Sequence, residues 1–429
     1  MIYSLSCNIK SIRNSVTGSL QPFSKVEQEI INTPAFRRLK KIFQMSTTDE
    51  IYPDATSTRY SHSLGVHEVA LKVGHHLEKD LKKLKFTKKE ILKFKQLLCL
   101  AGLLHDIGHG PYSHAIDSLW RTKETGESHE KWSARIILET NLRNIIDRAF
   151  AKKELLVDAQ SVARLIYSKG QTLDPIEKLA QQLISGELDI DRMDYLLRDS
   201  KATGVSYGLY DLDRTISILK ILKVGQEYHV GIEEDGIPNL KDFLRGRISM
   251  FEQVHTHKLK RILDYHLSQV AKLFYQERFP DIPLEYYLEH HDATVMDFAK
   301  TLANYENRHA RALIERKPYK VVLESRNRYS TKINKIFDRF VKTLEQKKLA
   351  SPEAWYRDRY DKKNKITEKN PIYMKTRAGQ IKKLTNKNLP ELDYLKFDYQ
   401  YFFVDSEHPD FKEIKKLAKK FQKRIEELN

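Results

Sequence analysis

Apolar side chains recur with a helical period through most of the first 280 residues. In HSLGVHEVALKVGHHLEKDL, Val66, Val69, Val73 and Leu77 share one face of an expected helix, whereas FKQLLCLAGLLHD is apolar nearly all round and reads as a central buried helix. That helix runs out at Gly108, Gly110 and Pro111, and another is expected from near Ser113. SHEKWSARIILET supplies one more, and Pro175 suits the first turn of PIEKLAQQLI, which Gly186 separates from ELDIDRMDYLLRDS. Alternation around Gly225 in LKVGQEYHVGIEEDG predicts a short hairpin, followed by one long helix over 239–275. Beyond about residue 281, YKVVLES and YLKFDYQYFFVD have strand character, the Lys/Arg-rich stretch between them reads as loop, and DFKEIKKLAKKFQKRIEEL is an amphipathic closing helix. The expectation is a mainly α core over 1–280 and a smaller α+β region over 281–429, without solenoid repeats.

Composition changes this picture little. With 40% hydrophobic and 31% charged residues, the 429-residue chain is of ordinary globular type. Cys7 and Cys99 cannot build a disulfide framework, and Cys99, inside the apolar run, reads as a small hydrophobe suited to a reducing cytoplasm. The opening MIYSLSCNIKSIRNS lacks the pattern of a secretory signal, and no apolar run reaches the ~18 residues of a membrane span. A cytoplasmic protein with no membrane partner is expected. The net charge of +17 points either to nucleic acid or to a substrate rich in phosphate. Much of it lies in RHARALIERKPYK and in RDRYDKKNKITEKNPIYMKTRAGQIKKLTNKN, for which a solvated surface and phosphate binding weigh about equally.

The candidate chemistry lies upstream, where LLHDIGHGPYSHAID packs three histidines and two aspartates into residues 103–117. A borderline metal takes imidazole and carboxylate ligands from separate elements. His62, the adjacent His105 and Asp106, and Asp191 meet that description. On a regular helix His105 and Asp106 diverge by about 100°, so ligation by both requires the helix to end there, which Gly108 and Gly110 permit. By itself a His-Asp pair is better explained by a histidine capping the last carbonyls of a helix than by metal ligation. Asp191, Tyr195 and Asp199 lie at i, i+4 and i+8 on one helix face, and Arg247, Phe251, His255 and Lys258 fall close to one face of the long helix.

The ordered series FRRLKKIFQMSTTDEIYPDATSTRYSHSLGV, AGLLHDIGHGPYSHAID, SHEKW, ELDIDRMDYLLRDS and RISMFEQVHTHK, within residues 30–275, resembles the HD-superfamily metal phosphohydrolases. Within them it is most similar to the deoxynucleoside triphosphate triphosphohydrolases, both bacterial and the vertebrate enzyme with SAM and HD domains. The resemblance implies an HD-domain helical core with His62, His105, Asp106 and Asp191 as metal ligands. Mn, Fe, Ni, Co, Zn or Mg all suit that donor set. It makes His109, Asp117 and His129 the reactive group, with His129 and Asp117 as the proton-transfer pair. His109 and His114 would meet phosphates, as would Arg59 through its guanidinium fork. Tyr195 would crowd the 2′ carbon and Asp199 meet the 3′ hydroxyl. Arg192, Arg247, Lys258 and His255 would complete the substrate contacts, and Gln44 would touch sugar or base. Relatives commonly carry Lys at Arg192 and Tyr at His255, and they have glycines after Gln44 that this chain lacks.

At the places of a guanine-nucleotide effector site in vertebrate members stand Asn32, Arg37 and Lys40, which keep its basic character but not the guanine-reading set, so guanine-nucleotide activation is not expected. A SAM domain ahead of residue 30 is not expected. Homo-oligomerisation, as dimer or tetramer, is implied. The expected reaction splits dNTPs into deoxynucleoside and triphosphate. Two alternatives are hydrolysis of another nucleotide or a nucleic-acid end, and nucleic-acid binding through the basic C-terminal region with a secondary HD activity.

Overall fold

The computed structural model describes residues 11–120, 128–151, 157–168, 170–276, 282–326, 331–362, 371–385, 389 and 397–428, and within them the chain is mainly α. A small hairpin, β1 (Ser11–Arg13) and β2 (Leu20–Pro22), leads into α1 (Lys25–Asn32) and α2 (Pro34–Arg37). The site is framed by α3 (Arg59–Lys83), α4 (Lys88–Leu104), α5 (His114–Trp120) and α6 (His129–Glu139). After α7 (Asn141–Phe150) and α8 (Ala159–Ile166) come α9 (Pro175–Ser185) and α10 (Ile190–Thr203). Local signals set these starts. Thr87 and Glu90 form a capping box on α4, Asp174 and Glu177 form one on α9 with Pro175 in the first turn, and Thr58 caps α3.

α11 (Leu212–Ser217) precedes the expected hairpin, β3 (Leu219–Val224) with β4 (Glu227–Glu233), which turns at Gly225 with φ +61°. The long helix expected over 239–275 is two helices: α12 (Ile237–Met250) and α13 (Lys258–Tyr275). Between them Phe251–His255 widen into a π-helical turn and Thr256 leaves helical geometry. The Thr256 hydroxyl donates to the Phe251 carbonyl, Tyr401 of a distant strand donates to the Thr256 carbonyl at 3.2 Å, and the His257 ring caps α13 through the Leu259 N–H. Tertiary contact thus overrides a continuous helical pattern.

α14 (Leu284–Glu289), α15 (Asp292–Asn304) and α16 (Arg308–Ile314) pack on the helical core. The rest is a three-stranded antiparallel sheet, β5 (Lys320–Ser325), β9 (Phe397–Val404) and β6 (Trp355–Lys362), with β9 central. Phe402 and Val404 face a second apolar cluster with α17 (Thr331–Gln346) and α18 (Phe411–Glu426). Tyr399, Tyr401 and Phe403, on the opposite pleat, face Ile262 of α13.

The Lys/Arg-rich stretch expected as loop departs from that reading. Ahead of it lies α17, and within it β7 (Tyr373–Lys375) and β8 (Ile381–Lys383) extend the β3–β4 hairpin into a four-stranded sheet. Three-residue strands carry too little periodicity to be read locally; residues 363–370 and 386–388 of the stretch lie outside the described residues. Among the described residues no helix is long and apolar enough to cross a membrane.

Candidate metal centre and active site

α4 is apolar because it is buried on nearly every side, and it ends at Leu104, leaving His105 as its C-cap. The helix end therefore lets His105 and Asp106 point to one place. The turn that follows is held from several elements. The Ser133 hydroxyl accepts from the Gly108 N–H (2.9 Å) and donates to the His105 carbonyl (2.7 Å). Tyr287 donates to the Gly108 carbonyl (2.6 Å), and Arg38 to the Ile107 and His109 carbonyls (3.1 and 2.8 Å). A Cβ on Gly108 would lie 2.2 Å from the His129 carbonyl oxygen, so only glycine allows α6 to come this close. Tyr112 and Ser113 hold left-handed backbone (φ +54° and +53°), pinned by Asp292, which accepts from the Tyr112 N–H (2.6 Å), and by Arg59, which donates to Ser113 Oγ (2.8 Å).

His62 from α3 and Asp191 from α10 meet this helix end. His62 Nε2 lies 3.0 Å from Asp191 Oδ1 and 3.4 Å from Asp106 Oδ2. His105 Nε2 lies 3.7 Å from Asp191 Oδ1 and 3.3 Å from Asp106 Oδ1. Both Nε2 atoms are buried without an aligned hydrogen bond among the described residues. Their other nitrogens are engaged, His62 Nδ1 with Asp194 Oδ2 (2.8 Å) and His105 Nδ1 with the Gly102 carbonyl (2.9 Å). Two oriented imidazoles and two carboxylates converging in this way fit a divalent cation of borderline softness. In the metal-free protein burial opposes charge on His62, but Asp191 and Asp194 outweigh it and push its pKa up to about 10. Burial works against charge on Asp106 too, yet Arg59, His105 and His109 hold its carboxyl well below the usual range.

Asp106 also joins this set to a second one, its Oδ1 lying 3.3 Å from His109 Nε2. His109 stacks on His129 with ring centroids 4.0 Å apart. Asp117 Oδ2 holds His114 Nδ1 at 2.8 Å and His129 Nδ1 at 3.0 Å. The pKa values of the two stacked rings are shifted in opposite directions. Burial, Arg59 and His129 push the His109 pKa well down, whereas on His129 burial is outweighed by Asp117, and its pKa is raised.

The substrate-binding candidates surround these sets with varied engagement. Tyr195 and Asp199 do share the α10 wall with Asp191, and His255 Nε2 lies 3.1 Å from Asp199 Oδ2, with Asp199 Oδ1 buried and unpaired among the described residues. Arg59 is buried and donates to Asp106 Oδ2 at 2.5 Å. Gln44 is buried beside it, its backbone carbonyl accepting from Arg59 at 3.3 Å. Arg192 is bound to Asp189 (2.5 Å) and Arg247 to Glu187 (2.8 Å). Lys258 lies past the helix break and pairs with Glu324 on β5 at 3.4 Å, so the face expected to carry it with Arg247 and His255 is interrupted. Asn32, Arg37 and Lys40 line one cavity of about 200 Å³ with Tyr60 and Gln28. That is below the about 300–1,000 Å³ common for small-ligand sites.

Sequence reasoning missed the supporting residues. Asp194, buried between His62 and a bidentate Arg198 (2.7 and 2.9 Å), was in view in DIDRMDYLLRDS as an acid three residues after Asp191 and four before Arg198. Nothing local marks Ser133, Tyr287 or Asp292, whose partners are 25 to 249 residues away. Elsewhere Glu27, His67 and Cys99 cluster, but His67 is closed by Glu27 (2.9 Å) and Gln21 (2.6 Å), a satisfied buried network.

Residues 59–199 match the HD domain family, a span that contains both histidine sets and Asp191. An uncharacterised protein of Methanocaldococcus jannaschii is 32% identical over 274 residues, covering 64% of this chain and 52% of that protein. An uncharacterised protein of Mycoplasma genitalium is 34% identical over 232 residues, covering 53% and 51%. The human deoxynucleoside triphosphate triphosphohydrolase is 26% identical over 258 residues, covering 55% and 40%. The chain thus spans about half the length of the first of these curated relatives. A crystal structure of a hypothetical protein from Aquifex aeolicus superposes with a TM-score of 0.75 at 28% identity, covering 96% of this chain and 99% of that one.

Proposed function

From the premise that this chain carries an HD domain and is similar to deoxynucleoside triphosphate triphosphohydrolases, we propose that it is a metal-dependent phosphohydrolase. Its substrate in this reading is a dNTP, split by water at the α-phosphorus into deoxynucleoside and triphosphate. The observation that carries the reading is the convergence of His62, His105, Asp106 and Asp191, joined through Asp106 to His109, His129 and Asp117. His62, His105, Asp106 and Asp191 would hold the cation, which when bound polarises phosphate oxygens and makes water more acidic.

The chain's own groups divide the remaining work. His129, its proton retained by Asp117, is suited to protonate the 5′ oxygen as the bond from the α-phosphorus to that oxygen breaks. His109, kept neutral by burial and Arg59, is suited to accept a hydrogen bond beside Asp106. His114 and the cations Arg59, Arg192 and Arg247 would meet the phosphates, for which Arg59 must exchange part of its contact with Asp106. Asp199, paired with His255, would read the 3′ hydroxyl, Tyr195 would crowd a 2′ hydroxyl, and Gln44 would contact sugar or base. Assembly into a homo-oligomer belongs to the same reading.

A panel of dNTPs, NTPs, cyclic nucleotides and dinucleotides with Mn, Fe, Ni, Co, Zn and Mg, its products separated, tests this. Tripolyphosphate from dNTPs is expected. Intact dNTPs under every metal, with another phosphoester cleaved, would replace the substrate while leaving the site; no cleavage at all would remove the reading.

A further inference from the structure

We propose that α17 and α18 form a docking surface for the phosphate backbone of a nucleic-acid duplex. On α18, Lys412, Lys415, Lys416, Lys419, Lys420 and Lys423 recur at helical spacing and are exposed, outnumbering the exposed acids Glu413 and Glu426 near the two ends of the helix. The opposite side of the helix, Ile414, Ala418, Phe421 and Ile425, is buried. α17 also carries exposed Lys332, Lys335, Arg339 and Lys342 opposite buried Ile333, Ile336, Phe337 and Phe340, here interspersed with exposed Asp338 and Glu345. The two helices share one apolar cluster, with Phe340 and Phe421 rings 5.2 Å apart, so both basic stripes belong to one outward layer. That layer covers the face of the sheet opposite the one packed on α13.

An ordinary solvated helix face mixes signs and forms ion pairs one turn apart. Other helices here do so, as in Glu78–Lys82, Arg135–Glu139 and Arg311–Glu315. Among the described residues the lysines named on α17 and α18 make no ion pair, whereas Lys412 and Lys416, Lys415 and Lys419, Lys416 and Lys420, and Lys419 and Lys423 are like charges at i,i+4. Such a stripe repels itself, and a polyanion relieves that repulsion while releasing counterions.

Three observations choose the polyanion. Neither helix exposes a large apolar side chain among the described residues, because the apolar stripes are used against the sheet, so nothing is left to enter a bilayer. Phe337, Phe340 and Phe421 are buried and Phe411 is half-buried against the same cluster, so among the described residues these helices offer no exposed aromatic platform on which single-stranded bases would stack. The 16 residues of α18 extend about 24 Å, the length of about seven base-pair rises of a duplex. The basic stretch after Arg357, the place expected from sequence, is not required, and neither is the histidine site.

Fluorescence anisotropy of the full chain with short DNA and RNA duplexes, a single strand of the same length, and vesicles containing phosphatidylserine tests the proposal. Duplex binding is expected to be the tightest and to fall about 10³-fold between roughly 50 and 200 mM salt. Replacing Lys415, Lys416, Lys419 and Lys420 together by Gln should weaken it at least about tenfold and lower the slope of log affinity against log salt by about three to four. Circular dichroism and nucleotide turnover should stay unchanged. The triple variant K332Q/K335Q/K342Q on the neighbouring helix should weaken binding in the same direction, independently of any effect on the folding of α18. Absence of duplex binding at low salt, variants that fold and bind like the parent, or equal or tighter binding to single strands or vesicles would each overturn the proposal. Because the readout is binding, its failure is distinguishable from failure of the phosphohydrolase reading.

Discussion

Around Asp106, cations and anions are buried and tied to one another, Arg59 at 2.5 Å and three imidazoles at 3.3–3.4 Å, whereas along α18 six lysines stand exposed with no counter-ion among the described residues. The same chemistry therefore obeys two regimes. In the first, desolvation makes every charge depend on a specific partner, so removing one group strands another. In the second, water and salt screen each charge, so single substitutions act weakly and in sum.

The largest effect expected from that contrast is at Asp106. Asp106→Ala removes a proposed ligand and leaves Arg59 buried without its carboxylate, a loss of about 3–5 kcal/mol in denaturant unfolding. Metal content and hydrolysis should vanish together, as they should in Asp191→Ala. Full turnover by either variant would dissolve the proposed site.

Asp194 is the next sharpening, because it touches the site only through His62. Asp194→Asn should weaken metal binding by about 10–100-fold. Gly65→Ala reports on the same contact, since its Cβ would lie 1.9 Å from Asp194 Oδ1 and 2.3 Å from Arg198 Nη2. It is expected to destabilise the protein by about 1–3 kcal/mol and to lower metal content. If metal content stays at the parent level in both variants, Asp194 does not position His62.

A third buried pair, away from the site, gives the comparison a pH axis. His266 and His309 meet Nδ1 to Nδ1 at 2.9 Å, His266 Nε2 accepts from the Tyr319 N–H at 3.2 Å, and Arg308 stands nearby. Burial, with His309 and Arg308, depresses the His266 pKa from its ordinary 6.5 to about 2. The unfolded chain therefore binds the extra proton first, and stability held above pH 6.5 declines as pH falls toward 2, by about 1.4 kcal/mol per unit. His266→Gln should be less stable at pH 7 yet show a flatter loss between pH 6.5 and 5. Equal slopes would assign the acid sensitivity elsewhere.

The smallest effect belongs to the exposed regime. Lys416→Gln on α18 should change stability by no more than about 0.5 kcal/mol, with a slight gain from relieved i,i+4 repulsion. A large loss would mean that this lysine is not the solvated charge its exposure indicates.

Much of the helical core was legible because its signals are local: the apolar period of α3 and α4, Pro175, and the Gly225 turn each act within a few residues. The break at Thr256 was not legible, because it depends on Tyr401, 145 residues away. Likewise β7 owes its existence to an edge offered by β4, far back in the chain. At the candidate site, one-face spacing brought Asp191, Tyr195 and Asp199 into view together. The same reasoning carried Lys258 onto a wall from which the π-helical turn removes it.

By itself the sequence determined the helical periods, a helix stop near Gly108–Pro111 that the structure moves up to Leu104, and the identity of the groups available for metal and proton chemistry. These follow from backbone preference and side-chain type over a few residues. Only the tertiary structure decided which nitrogen of each histidine is engaged, that Arg59 is bound to Asp106, and that Ser133, Tyr287 and Asp292 hold the turn. Hydrogen bonds of that kind depend on distance in space, and burial strengthens them by removing water as the competing partner.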